Sequence, residues 1–134
     1  MTIKEVSEKY GLSQDTLRYY ERVGMIPPVN RTAVGIRSYT EEDLRWVELA
    51  KCMRSAGLPV EAMIEYVRLF QEGDSTLSAR LQLLTRQREV LLEQRRHIDA
   101  TLNRLDQKIS RYKEAVQTGV LSWPSEKESK KEKE

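Results

Sequence analysis

The 134-residue sequence predicts a mainly α fold: a winged helix-turn-helix domain followed by a long dimerisation helix. Three observations carry this. Two short helical patterns meet at a glycine-containing turn at Gly11. A Pro27-Pro28 break and a turn ending at Gly35 follow, which read as a short hairpin. From Leu77 onward, apolar positions recur at alternating steps of four and three. The expected segments are 1–73 for the domain, 74–118 for the long helix, and 119–134 for a hook and tail. Within the domain, the helix-turn-helix covers about 2–24 and the wing about 27–39.

The first helix opens on Thr2-Ile3-Lys4-Glu5, a capping box in which Thr and Glu each satisfy the other's backbone N–H. Ile3, Val6 and Tyr10 recur at helical spacing, and Gly11 ends the run. Ser13 caps the second helix by accepting from Asp15 or Thr16, and Asp15 complements its dipole. Leu17 and Tyr20 share an inward face, whereas Arg18, Tyr19 and Arg22 fall largely on others. Gly24 stops this helix. In a helix-turn-helix the second helix enters the major groove of DNA. Arg grips phosphates or guanine edges, and a Tyr hydroxyl reaches a phosphate. The competing reading is that such Tyr pairs are core or boundary residues.

The wing follows as Val29-Asn30-Arg31, a turn from Thr32 to Gly35, and Ile36-Arg37-Ser38-Tyr39. From Thr16 to Tyr39 the basic residues are Arg18, Arg22, Arg31 and Arg37, and the only acid is Glu21. Four minus one leaves a local excess of three positive charges, in a chain of net charge +2. A polyanion binder needs such a footprint. Thr40 and Asp43 then cap a third helix carrying Leu44, Val47, Leu49, Cys52, Met53 and Ala56, closed by Gly57. Pro59 opens a fourth, with Met63, Ile64, Val67 and Phe70 as core positions and Gly73 as its end.

The seam of the long helix is Leu77, Leu81, Leu84, Leu91, Ile98, Leu102, Leu105, Ile109, Tyr112 and Val116. Arg88 and Arg95 complete the heptads as charged positions, which either set register or lie against the N-terminal half. Such a helix cannot bury its stripe alone, so a homodimer is expected. Gly119 ends it. Leu121 and Trp123 suggest an apolar hook, and Ser125–Glu134 reads as a solvated, disordered tail.

Composition narrows the function. Hydrophobic residues make up 39% and charged residues 33%, as in chains with a long exposed helix. A single cysteine excludes an internal disulfide and fits a reducing, cytoplasmic setting. Lys4 and Glu5 argue against a signal peptide, and no apolar run reaches the roughly 20 residues that cross a membrane. No glycine-rich phosphate loop or metal-ligand cluster is present, and His97 lies alone on the long helix. No catalytic residue, metal or cofactor is expected, and an enzyme reading has no support.

Thr16-Leu17-Arg18-Tyr19-Tyr20-Glu21, Gly24-Met25-Ile26, Arg31, Gly35, Arg37, Tyr39 and Asp43-Leu44 together resemble the MerR family of transcriptional regulators. The resemblance covers about residues 1–70 closely, and the architecture of the remainder. One departure is Gly35-Ile36-Arg37, where the family usually has Gly-Tyr-Arg. The resemblance implies double-stranded DNA with a palindromic promoter operator as partner, alongside RNA polymerase. It implies an antiparallel two-helix coil between subunits, and activation by distorting the promoter. Candidate DNA-binding residues are Thr16, Arg18, Tyr19, Tyr20, Arg22, Arg31, Arg37 and Tyr39. Short members of the NmlR/AdhR-like subgroup carry a lone cysteine at the place of Cys52 and respond to aldehydes, other electrophiles and thiol stress. Cys52, with Lys51 and Arg54 nearby, is therefore a candidate sensor. Its alternative is a small buried hydrophobe. Two other function classes stand beside the regulator: an architectural DNA-binding protein without a signal, and a coiled-coil adaptor.

Overall fold

A computed structural model describes residues 1–123. Five α-helices follow in order: α1 (Ile3–Tyr10), α2 (Gln14–Val23), α3 (Glu41–Ser55), α4 (Val60–Glu72) and α5 (Leu77–Thr118). The chain divides into two compact units, Met1–Leu91 and the part from Leu92 on. The fold is mainly α, with a helix-turn-helix at the start and a long terminal helix. The expected tail at 125–134 lies outside the described residues.

Local rules set the helix starts. Thr2 and Glu5 form the reciprocal capping box, as do Thr40 and Asp43 on α3. Ser13 accepts from Thr16 N–H at 3.0 Å, so the second of its two expected donors is used. Pro59 caps α4 without a side-chain bond. Gly24, at φ 87°, lets the chain reverse so that Met25 N–H reaches Tyr20 C=O at 2.9 Å.

The core of the first unit joins α1 to α4. Val6, Leu17, Met25, Ile26, Val47, Leu58 and Met63 are its most deeply buried members. Trp46, which heptad and capping patterns did not single out, sits 5.0 Å from Phe70 and 5.6 Å from Tyr66, centroid to centroid. Phe70 and Ala56, expected in the core, are exposed.

Two faces share the first turns of α5. Leu83 is buried, Gln87 and Leu91 are half-buried, and Leu91 packs on the core. The heptad residues Leu77, Leu81 and Leu84 on the neighbouring face stay exposed. Thr76 fastens the α4–α5 junction: its hydroxyl donates to Leu69 C=O and accepts from Arg80 Nε at 3.1 Å. Ile98, Leu102, Leu105, Ile109, Tyr112 and Val116 are exposed as well. Arg88 and Arg95 are also exposed. Beyond Gly119, Trp123 meets Tyr112 edge-on at 6.1 Å, while Lys108 lies 4.2 Å from its ring.

Candidate nucleic-acid interface

The wing is a minimal hairpin. It contains one antiparallel bridge, between Arg31 and Arg37, rather than extended strands. Thr32 N–H donates to Ile36 C=O at 2.7 Å, and Ser38 N–H to Asn30 C=O at 2.7 Å. These bonds flank the bridge, so Arg31 and Arg37 form a non-hydrogen-bonded pair with their side chains on one face. Like charges so placed repel.

Two carboxylates hold the wing. Glu21 accepts from Arg37 Nε at 2.7 Å and from Val29 N–H at 3.0 Å, tying the wing to α2. Asp43 accepts from Asn30 N–H, Asn30 Nδ2 and Thr40 N–H at 3.3, 3.0 and 2.9 Å, tying it to α3. The sequence reading missed Glu21 as a strut and Asp43 as more than a cap. The lone acid in a basic stretch was the available signal for Glu21.

The candidate contact residues separate by exposure. Arg18, Tyr19, Arg22 and Arg31 are exposed, and Thr16 and Arg37 are half-buried. Arg18 folds back on α2, donating to Asp15 Oδ1 at 3.0 Å and Gln14 Oε1 at 3.4 Å. Such an exposed pair is weak, so a phosphate can displace it. Arg22 lies 5.5 Å from the Tyr19 ring centroid. Thr16 is occupied with the Ser13 cap.

Tyr20 and Tyr39 are 6% and 3% exposed, so in the folded chain they are packing residues rather than surface groups. Burial pushes both phenols above their ordinary pKa, against nearby arginines: Arg54 for Tyr20, and Arg37 and Arg18 for Tyr39. The Tyr39 hydroxyl finds no hydrogen-bond partner among the described residues. Cys52 is exposed on α3. Its alternative as a buried hydrophobe is therefore not met within the chain.

Over residues 1–69 the chain matches the profile of the MerR HTH family regulatory proteins. It belongs to the MerR family. The HTH-type transcriptional regulator AdhR of Bacillus subtilis (strain 168) is 56% identical over 93 residues, or 69% of this chain. That match spans 66% of AdhR's own length. An uncharacterised HTH-type regulator of Haemophilus influenzae is 30% identical across 90% of this chain and 89% of its own. Among solved structures, a MerR family regulator from Listeria monocytogenes superposes with TM-score 0.85 at 47% identity. It covers 89% of this chain and 90% of that one. HiNmlR, a MerR family regulator lacking the sensor domain and solved bound to promoter DNA, gives 0.80 at 30% identity. It covers 90% of this chain and 95% of its own. MerR membership makes this chain a transcriptional regulator rather than an enzyme.

No helix among the described residues is long and apolar enough to cross a membrane.

Proposed function

We propose that this MerR-type regulator binds a palindromic promoter operator as a cytoplasmic homodimer and activates transcription by distorting the DNA. The observation that carries the reading is the Glu21 strut. It locks a wing bearing Arg31 and Arg37 onto the helix bearing Arg18, Tyr19 and Arg22. Arg18, Arg22 and Arg31 supply the principal phosphate or base contacts, with Tyr19 and Thr16 assisting. Arg37 spends its Nε on Glu21 and keeps its terminal nitrogens for a phosphate. Tyr20 and Tyr39 act by positioning α2 and the wing. The promoter-bound state of HiNmlR supports the same reading.

The exposed stripe from Leu77 to Val116 supports the dimer, as an antiparallel coil of two α5 helices. Two recognition helices at fixed separation make mismatched DNA bend or untwist, at a cost of order 1–6 kcal/mol for smooth bending. That distortion realigns promoter elements for RNA polymerase. Cys52 is the sensor for aldehydes, other electrophiles or thiol oxidants; its exposure and the AdhR similarity favour this.

Binding of the full chain to a duplex taken from its own promoter region tests the reading. Arg18→Ala should weaken binding about tenfold or more, while the dimer stays intact. Unchanged affinity removes Arg18 from the interface. Equal affinity of the wild type for any duplex supports an architectural protein, and no duplex binding supports an adaptor.

A further inference from the structure

Arg88 and Arg95 interrupt the apolar seam of α5 with charge. The helix runs unbroken from Leu77 to Thr118, so the heptad continues through both. Both side chains are exposed. Among the described residues Arg95 has no ion pair, and Arg88 has only its neighbour Glu89, at 3.7 Å. Asp99 and Asp106 are exposed as well and have no ion pair among the described residues.

These four residues hold fixed places in the heptad. Arg88 and Arg95 take one seam position, a, and Leu91, Ile98 and Leu105 take the other, d. Asp99 and Asp106 each follow a d residue directly, at position e. The other e positions of the helix are Ser78, Thr85, Leu92 and Lys113, so acids occur at e only in these two places.

Charge decides the orientation of a second copy. In a parallel pair each a position faces itself. Arg88 would then meet Arg88, and Arg95 would meet Arg95, like charges brought together out of water. An antiparallel pair sets a against d and removes both clashes.

Charge also selects the register. Antiparallel pairing over the whole seam sets Leu77 against Val116 of the second copy. In step with that, Arg88 faces Leu105 and Arg95 faces Ile98. Each arginine then lies beside the aspartate that follows its opposite residue. A slide of one heptad leaves one arginine without an acid: Arg95 falls beside Leu92, or Arg88 falls beside Lys113. It also uncovers the apolar ends of the seam.

We infer that Arg88 and Arg95 of one copy pair with Asp106 and Asp99 of a second, and that these ion pairs fix the orientation and register of the coil. The inference rests on the dimer reading above. Charged seam residues weaken a coil relative to leucine, and their effect is to hold one register. A slide of one heptad would displace one copy about 10 Å along the other. The spacing at which two DNA-binding units meet an operator would change with it.

Arg88 and Asp106 give the cleaner test. They are 18 residues apart, about 27 Å along one helix, and cannot meet within a chain. Dimer dissociation of the full chain would be measured by analytical ultracentrifugation for wild type, Arg88→Asp, Asp106→Arg and the double variant. Each single reversal should weaken the dimer about tenfold or more, because like charges then meet at two symmetry-related places. The double variant should return to within about threefold of wild type. Single reversals without effect, or a double variant that restores nothing, overturn the pairing. Oxidative cross-linking in a Cys52→Ser background reads the register. Leu84→Cys with Ile109→Cys, which face each other in the inferred register, should give a covalent dimer. Leu84→Cys with Leu102→Cys, which face each other after a slide of one heptad, should give little. The reverse pattern overturns the register. A wild type that is monomeric at micromolar concentration overturns the dimer reading itself, and this is seen before any variant is compared.

Discussion

The carboxylate of Asp43 fastens Asn30 of the wing to α3 and completes the α3 cap through Thr40, and its protonation state controls that hold. Burial pushes its pKa up, but hydrogen bonds from Asn30 and Thr40 together outweigh burial and hold it below the ordinary value of 3.8. The folded carboxyl thus binds a proton less tightly than the unfolded one. Its stabilisation is complete above that ordinary value and is lost as pH falls through the lower folded one. Asp43→Asn should cost about 1–3 kcal/mol at neutral pH, because Asn30 and Thr40 lose a charged acceptor. Urea unfolding from about pH 6 down to 2 should show a shallower acid decline in the variant than in the wild type. Parallel declines would assign the acid sensitivity elsewhere. The Thr-x-x-Asp pattern made the cap legible in the sequence. The bonds to Asn30 were not legible, since they join residues 13 apart through the wing's fold. Tyr20 shows the same limit in reverse. Its spacing from Leu17 indicated an inward face, while its chemistry suggested a phosphate contact, and packing prevails.

At the scale of the element, α5 presents one face to its own core and another to solvent. The heptad seam was legible because a period of four and three over many turns admits few alternatives. Leu83 was not, because it lies off the seam on a face set by the tertiary packing of the first unit. Leu91 belongs to both patterns: it is a heptad position, and it packs on the core. Charging Leu91 would therefore confuse loss of dimer with loss of fold. Leu102→Asp with Ile109→Asp avoids this, because both side chains are about half exposed in the isolated chain. That variant should be monomeric by light scattering at micromolar concentration while keeping the melting behaviour of its N-terminal unit. A dimeric variant would remove the seam from the interface. Leu83→Ala should instead cost about 2–5 kcal/mol of stability by opening a cavity. Gln87 has a buried side-chain oxygen without a partner among the described residues. Gln87→Leu should raise stability by about 1 kcal/mol or more by removing that unmet acceptor.

For the whole molecule the open question is how a chemical signal at one side chain would reach the DNA. A buried Cys52 would transmit an adduct by straining the core around it. An exposed Cys52 cannot do so within its own chain, because an added group there projects into solvent. If Cys52 reads a signal as proposed, that signal would pass through whatever the surface around it meets: a second copy, the promoter or the polymerase. Packed interfaces move between discrete arrangements rather than deforming smoothly, so a small adduct at such a contact can change the angle between two DNA-binding halves. Promoter affinity and induction are then separable. Cys52→Ser should keep wild-type promoter affinity, because no proposed DNA contact is removed. It should lose induction by aldehydes and thiol oxidants in a promoter-reporter assay. Exposure adds a second readout: iodoacetamide should add one carbamidomethyl group to the native wild type, detected by intact mass, and none to Cys52→Ser. Rapid labelling with normal induction in the serine variant would make Cys52 an accessible thiol without a signalling role. Any signal would then enter elsewhere.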